Sequence, residues 1–243
     1  MKIFNFIILF FFLINCESIS NRNLEIEPVV SKKELHLSDY DKNLLLGKFD
    51  YKLDSLFVII PKNLSSKTIY INKVVNDSFL KMAANAKDDG VTLIVVSGTR
   101  NFIEQKRIWE RKWNNSTQVS TIKKALKILE YSSMPSTSRH HWGTDIDLIN
   151  LNNSYFNNGK GLKEYNWLFS NAHKYGFSEV YTDKIQGRTG YNMEKWHWSF
   201  KPLSDRYLEL YLKNINYSDI NGFQGSDIAK EIDVINQYVN GID

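Results

Sequence analysis

Cysteine occurs once in this chain of 243 residues, proline four times and histidine five times. A single cysteine excludes an internal disulfide, so stability has to come from packing or from a bound cation. Four prolines and twelve glycines are too few for a disordered or low-complexity chain, while 42% hydrophobic and 14% aromatic residues are ample for a core. There is no internal repeat and no heptad pattern, and a monomer is expected. Charge of one sign is scarce as well. Thirty-one lysines and arginines against 27 acids leave a formal balance of +4. The lysines are dispersed rather than gathered in a run that tracks a phosphate backbone, so nucleic acid is not an expected partner. A mild positive balance suits an acidic cell-wall polymer, as it does most globular surfaces.

Long apolar runs are absent after the first fifteen residues. Lys2 is followed by the apolar stretch 3–14, which contains Phe10-Phe11-Phe12-Leu13-Ile14. It is too short to span a bilayer, which takes about 20 residues, but it has the layout of a secretory signal peptide. It ends in Leu13-Ile14-Asn15-Cys16, similar to a bacterial lipobox, whose cysteine is acylated and becomes the mature first residue. Asn15 departs from the small residue usual before that cysteine, and the alternative is a plain signal peptide. The expectation is an exported protein of the cell envelope. Residues 1–15 would be the signal peptide and 16–40 a polar tether, with a lipid anchor at Cys16 facing the periplasm or wall. A folded domain would occupy 41–243.

Within that domain, Leu44-Leu45-Leu46 and Phe57-Val58-Ile59-Ile60 start the fold. Phe79, Met82, Ala83 and Ala86 recur at helical spacing and predict a helix over 76–89, stopped by Gly90. Residues 92–96 read as a buried strand. Asn101 is the N-cap of a helix with Phe102, Ile103, Ile108, Trp109 and Trp113 on its apolar side. Further helices are predicted over 121–131, 162–175, 204–214 and 226–239, and strands over 144–148, 177–181 and 194–200. Interspersed helices and strands give a single α+β domain, with a small central antiparallel sheet flanked by helices.

Three of the five histidines fall in two short segments, Ser138-Arg139-His140-His141-Trp142-Gly143-Thr144-Asp145-Ile146-Asp147 and Glu194-Lys195-Trp196-His197. Two imidazoles, a carboxylate and a spare glutamate are the inventory of a catalytic zinc site. Such a site takes three protein ligands, leaves one position open and keeps a base nearby. After Gly143 the pattern favours loop, then strand, so Asp145 and Asp147 share one face. Two carboxylates on one buried face are costly without a cation. The alternative is a solvated edge strand carrying surface acids. Glu194 and His197, three apart, would face opposite ways on a regular strand, so the backbone must bend if both serve one site.

The first segment resembles the S-x-H-x-x-G-x-A-x-D motif of the LAS metallopeptidases, and the second resembles their E-x-W-H. With Ser97-Gly98-Thr99-Arg100 and Gln105, similar to the family's S-G-x-R…Q stretch, the likeness is to VanY-type D-alanyl-D-alanine carboxypeptidases and extends over about residues 44 to 215. It implies that His140, Asp147 and His197 hold zinc at the sheet. Glu194 would take a proton from water and pass it to the leaving amine, and Arg100 would stabilise the oxyanion. Gln105 and Ser138 would bind a peptidoglycan stem peptide. Candidates for the substrate's terminal carboxylate are Arg139, Arg188 and the Gln105 amide. His141 is expected to support the site from outside, and His36 and His173 to be ordinary tether and helix residues. Asp145 stands where the motif has alanine and is a second candidate ligand. The expected activity is release of a terminal D-alanine. Endopeptidase cleavage by the same fold is the first alternative. A non-catalytic wall-binding lipoprotein is the second, and the intact Glu194 counts against it.

Overall fold

The computed structural model describes residues 41–243. The expected signal peptide, Cys16 and the tether lie outside the described residues. The fold begins with a short helix α1 (Lys42–Leu45) capped by Asp41, then β1 (Phe57–Ile59), β2 (Tyr70–Asn72) and α2 (Lys73–Asp88). The Asn72 side chain accepts from the Val74 amide and caps α2, so this helix starts three residues before the apolar periodicity predicts. There follow β3 (Val95–Ser97), α3 (Phe102–Asn114), α4 (Thr121–Ile128), β4 (Asp145–Leu148), α5 (Gly159–Asn171), β5 (Phe177–Glu179), β6 (His197–Phe200) and α6 (Lys201–Asn214). On α3, Asn101 and Glu104 form a reciprocal capping box.

β1 and β2 form a separate hairpin-like pair. The main sheet is antiparallel throughout, in the order β3-β4-β6-β5. β4 is therefore central, and every residue of β4 and β6 is buried, which removes the edge-strand alternative. Pairing sets Asp145 opposite Ser199, Ile146 opposite Trp198 and Asp147 opposite His197. Because side chains alternate across a strand, one face of this pair is polar and the other carries Ile146, Leu148, Trp198 and Phe200. The apolar face joins the core. Trp142, from the first histidine segment, is fully buried against Tyr207 and Tyr211 of α6 and donates to the Leu45 carbonyl. It ties α1 and α6 to the site; its replacement by alanine would cost about 3–5 kcal/mol.

Several boundaries differ from the sequence pattern. The predicted strand over 194–200 begins only at His197, and the helix over 162–175 ends as α5 at Asn171, followed by a 3-10 turn over Ala172–Tyr175. Ile103 is half-exposed rather than on the apolar side of α3. No continuous helix covers 226–239. A 3-10 turn spans Ser226–Ile228 and a π-helical turn Ile235–Val239. Between them Asp233 takes a left-handed φ of 54°, its carboxylate accepting from Tyr217 Oη and Asn236 Nδ2. Ile228, Ile235 and Val239 are nevertheless buried.

The segment before β6 is tied down by Arg188. Its guanidinium donates to the carbonyls of Thr182, Thr189 and Tyr191, and to that of Gly241 near the end of the chain.

Candidate metal centre and active-site cleft

A cleft of about 450 Å³ opens over the polar face of β4 and β6. At its floor, one ligand-type atom from each of His140, Asp147 and His197 lies within 4.8 Å of the others. His140 sits in a 3-10 turn (Arg139–Trp142) closed by Gly143 at φ 67°. A Cβ at Gly143 would stand 2.5 Å from the Phe57 ring, so only glycine fits that turn. His140 Nδ1 is 2.9 Å from the Gly98 carbonyl, which fixes the proton there and turns Nε2 toward Asp147 Oδ2 at 3.4 Å.

His197 stands between two acids. Its Nδ1 is 3.1 Å from Asp147 Oδ1, and its Nε2 is 3.1 Å from Asp145 Oδ1. Its ring lies against Tyr181, with centroids 4.4 Å apart. Burial opposes a charged imidazole, yet the hydrogen bonds to Asp145 and Asp147 win and push its pKa up to about 9. Burial likewise opposes the two carboxylates. Arg139 and His197 hold Asp145 well below the usual carboxylate range, and His140 and His197 do the same for Asp147. The cluster is built to hold positive charge.

Glu194 lies in the turn before β6, where the His197 amide donates to the Glu194 carbonyl. This is the bend the sequence spacing requires. The carboxylate is buried, with Oε2 3.9 Å from His197 Nδ1. Burial, aided by Asp147, pushes its pKa up to about 8 despite His197 and Arg100. Asn153, a residue the sequence reading did not single out, holds this turn from both sides. It donates to the Met193 carbonyl at 2.7 Å and accepts from the Lys195 amide at 3.0 Å.

Arg100 Nη1 donates to Ser97 Oγ at 2.6 Å, and its Nε donates to Gln105 Oε1 at 3.0 Å. One N–H of the Gln105 amide is donated to the Ser133 carbonyl while its oxygen accepts from Arg100, so this side chain orients Arg100. Ser138 is not part of the cleft wall; its buried hydroxyl has no hydrogen-bond partner. Arg139 is fully buried against Asp145, and Arg188 is engaged by carbonyls, so neither is available for a terminal carboxylate. The cations that do line the cleft beside Arg100 are Arg111 and Lys112. Lys112 was legible in principle, since Gln105, Ile108 and Lys112 recur at helical spacing and all face the cleft. His141 is directed elsewhere: its Nδ1 lies 2.7 Å from the Arg100 carbonyl and its Nε2 accepts from the Ser136 amide. Burial drives its pKa down to about 3, so it is neutral support for the Arg100 loop.

Asp145 has its acceptors occupied. Oδ1 takes Arg139 Nε and His197 Nε2, and Oδ2 takes the Thr144 hydroxyl. It stands outside the three-residue cluster.

Residues 68–203 match the family model described as VanY, D-alanyl-D-alanine carboxypeptidase. The chain is 32% identical over 130 residues to YodJ of Bacillus subtilis (strain 168), covering 53% of this chain and 45% of that protein. It is 27% identical over 135 residues to a D-alanyl-D-alanine carboxypeptidase of Enterococcus faecium, covering 55% and 38%. The chain thus spans less than half the length of the curated relatives it matches. Among solved structures, the LdcB LD-carboxypeptidase superposes with a TM-score of 0.52 at 27% identity, over 70% of this chain and 81% of that one.

Proposed function

The chain belongs to the VanY family of D-alanyl-D-alanine carboxypeptidases, and from that premise we propose that it is a zinc peptidase removing the terminal D-alanine of peptidoglycan stem peptides. The observation that carries the reading is the placement of Glu194, its pKa near 8, within 3.9 Å of a buried His-Asp-His cluster in one cleft.

The residues fit zinc. Two imidazole nitrogens and one carboxylate oxygen, all buried and within 4.8 Å of one another, are a zinc donor set. His140 Nε2, Asp147 and His197 Nδ1 would be the ligands. Zinc bound there supplies Lewis acidity, making water nucleophilic near neutral pH and polarising a carbonyl. Glu194, its carboxylate buried 3.9 Å from His197 Nδ1, would take the proton from the attacking water and deliver it to the leaving amine. Arg100 has Nε and Nη1 held by Gln105 and Ser97, which leaves Nη2 to meet the developing oxyanion. Arg111 and Lys112 are the cations placed to meet carboxylates of the stem peptide.

Digestion of a stem pentapeptide, followed by mass spectrometry, tests the reading. One D-alanine should be lost from the free acid and none from the C-terminal amide. Equal cleavage of both at an internal bond would make the protein an endopeptidase. The likeness to an LD-carboxypeptidase favours one second reading, in which the tetrapeptide is trimmed instead; including a tetrapeptide decides between them. We also propose export with a lipid anchor at Cys16. Cys16→Ser should move the protein from the membrane fraction to the soluble fraction with activity intact.

A further inference from the structure

We propose that Asp145 is a positioning residue that, held by Arg139, fixes the His197 ring so that Nδ1 is its metal-facing nitrogen. The inference rests on the reading of His140, Asp147 and His197 as metal ligands. It goes beyond that reading, because the motif this chain resembles has alanine at the position of Asp145.

The two nitrogens of His197 face different acids, Asp147 across Nδ1 and Asp145 across Nε2, each at 3.1 Å. A neutral imidazole carries one N–H and one lone pair. A ligand must offer the lone pair to the metal, so a partner for the other nitrogen decides which one is free. Asp147 lies on the Nδ1 side, and its other carboxylate oxygen is the one that His140 Nε2 approaches at 3.4 Å. The N–H must then sit on Nε2 and be donated to Asp145.

Asp145 is suited to that task and to no first-hand contact with the metal. The β4–β6 register sets it opposite Ser199, on the same sheet face as Asp147 and His197. Its Oδ1 also accepts from Arg139 Nε at 3.0 Å, and the side chains of this pair are 1% and 0% exposed. Arg139 is fixed in turn. It donates to Ser199 Oγ at 2.7 Å, Ser199 is bonded to Ser204 of α6, and the guanidinium lies over the Trp142 ring at 5.1 Å. An exchange of the family's methyl group for a carboxylate is thus matched by a buried arginine, and the pair reaches the cluster only through His197.

The test uses the full chain loaded with zinc, comparing wild type with the Arg139→Met/Asp145→Ala double variant. Removing both charges leaves neither partner buried and uncompensated, so the variant should fold. Its zinc dissociation constant, from chelator competition, should rise about 10–100-fold, while KM stays within about twofold. Wild-type zinc affinity in the double variant would mean that Arg139 and Asp145 merely pair with each other, and would overturn the proposal. Long-range 1H–15N spectra of the zinc-loaded wild type give a second readout that needs no variant. His197 should carry its proton on Nε2, and a proton on Nδ1 would also overturn it. Loss of the ligand reading itself is distinguishable, since it would show as full zinc content in His140→Ala.

Discussion

The two walls of the cleft hold their side chains by different means. On the sheet side, Asp147 and His197 are placed opposite each other by strand register, and both strands are buried on both faces. On the helix side, Gln105, Ile108 and Lys112 project from α3, and Lys112 is partly exposed, held by one hydrogen bond to Ser132. A register cannot drift without turning every side chain over, whereas a long side chain on a helix can swing. The sheet wall therefore suits fixed donors, and the helix wall suits a substrate of variable shape.

The sharpest way to break that contrast is His197→Ala. It removes the ring separating Asp145 from Asp147 and leaves buried carboxylates without their partner. Stability should fall by about 3–5 kcal/mol, seen in a thermal melt, and zinc should be lost, seen by elemental analysis. Stoichiometric zinc in this variant would reject the ligand set. Glu194→Gln stands on the same side but contributes chemistry instead of structure. Zinc content should be unchanged and the melting temperature no lower, since burial already disfavours the carboxylate, while kcat drops about 10²–10⁴-fold. A variant turning over at the wild-type rate would remove Glu194 from the mechanism.

On the helix wall the effects should be smaller and divided. Gln105→Ala frees Arg100 and should lower kcat by about 10–100-fold, through misplacement of its guanidinium. Lys112→Ala should instead raise KM by only about two- to fivefold, as expected of a partly solvated charge. If Lys112→Ala affects kcat as strongly as Gln105→Ala, the distinction between positioned and adjustable residues on α3 fails.

The smallest effect lies at the sheet's edge. Glu179 on β5, paired opposite Trp198, is pushed up to about 6 by burial, although Tyr165 donates to one of its oxygens. Between about pH 4.5 and 6 the folded protein holds a proton there that the unfolded chain has released. The contribution of this group to stability therefore falls as pH rises through that window and stays low above it. Glu179→Gln should gain about 1 kcal/mol above pH 6 and nothing below pH 4.5, read from denaturant melts at the two pH values.

How much of this was legible in the sequence follows the same divide. The ligand-type residues and Glu194 could be named because their chemistry and spacing are local, and even the bend between Glu194 and His197 is implied by an interval of three. The α+β class and most helices follow from periodicity. What could not be read depends on distant partners. Arg139 and Arg188 look like free cations until Asp145, Ser199 and four carbonyls occupy them. The even spacing of Ile228, Ile232, Ile235 and Val239 suggests one helix, yet Tyr217 and Asn236 hold Asp233 in a conformation that interrupts it. Asn153 clips the Glu194 turn from forty residues away in sequence.

Arg188 gives the last segment of the chain a use that its distance from the cleft hides. The same guanidinium grips the carbonyls of Thr182 and Tyr191, next to or within the aromatic wall made by Tyr181 and Tyr191, and the Gly241 carbonyl. Gly241 is thus fixed to the same guanidinium that holds that wall. A change that displaced the Gly241 carbonyl would therefore reach, through Arg188, the segment that carries Tyr181, whose ring lies against His197.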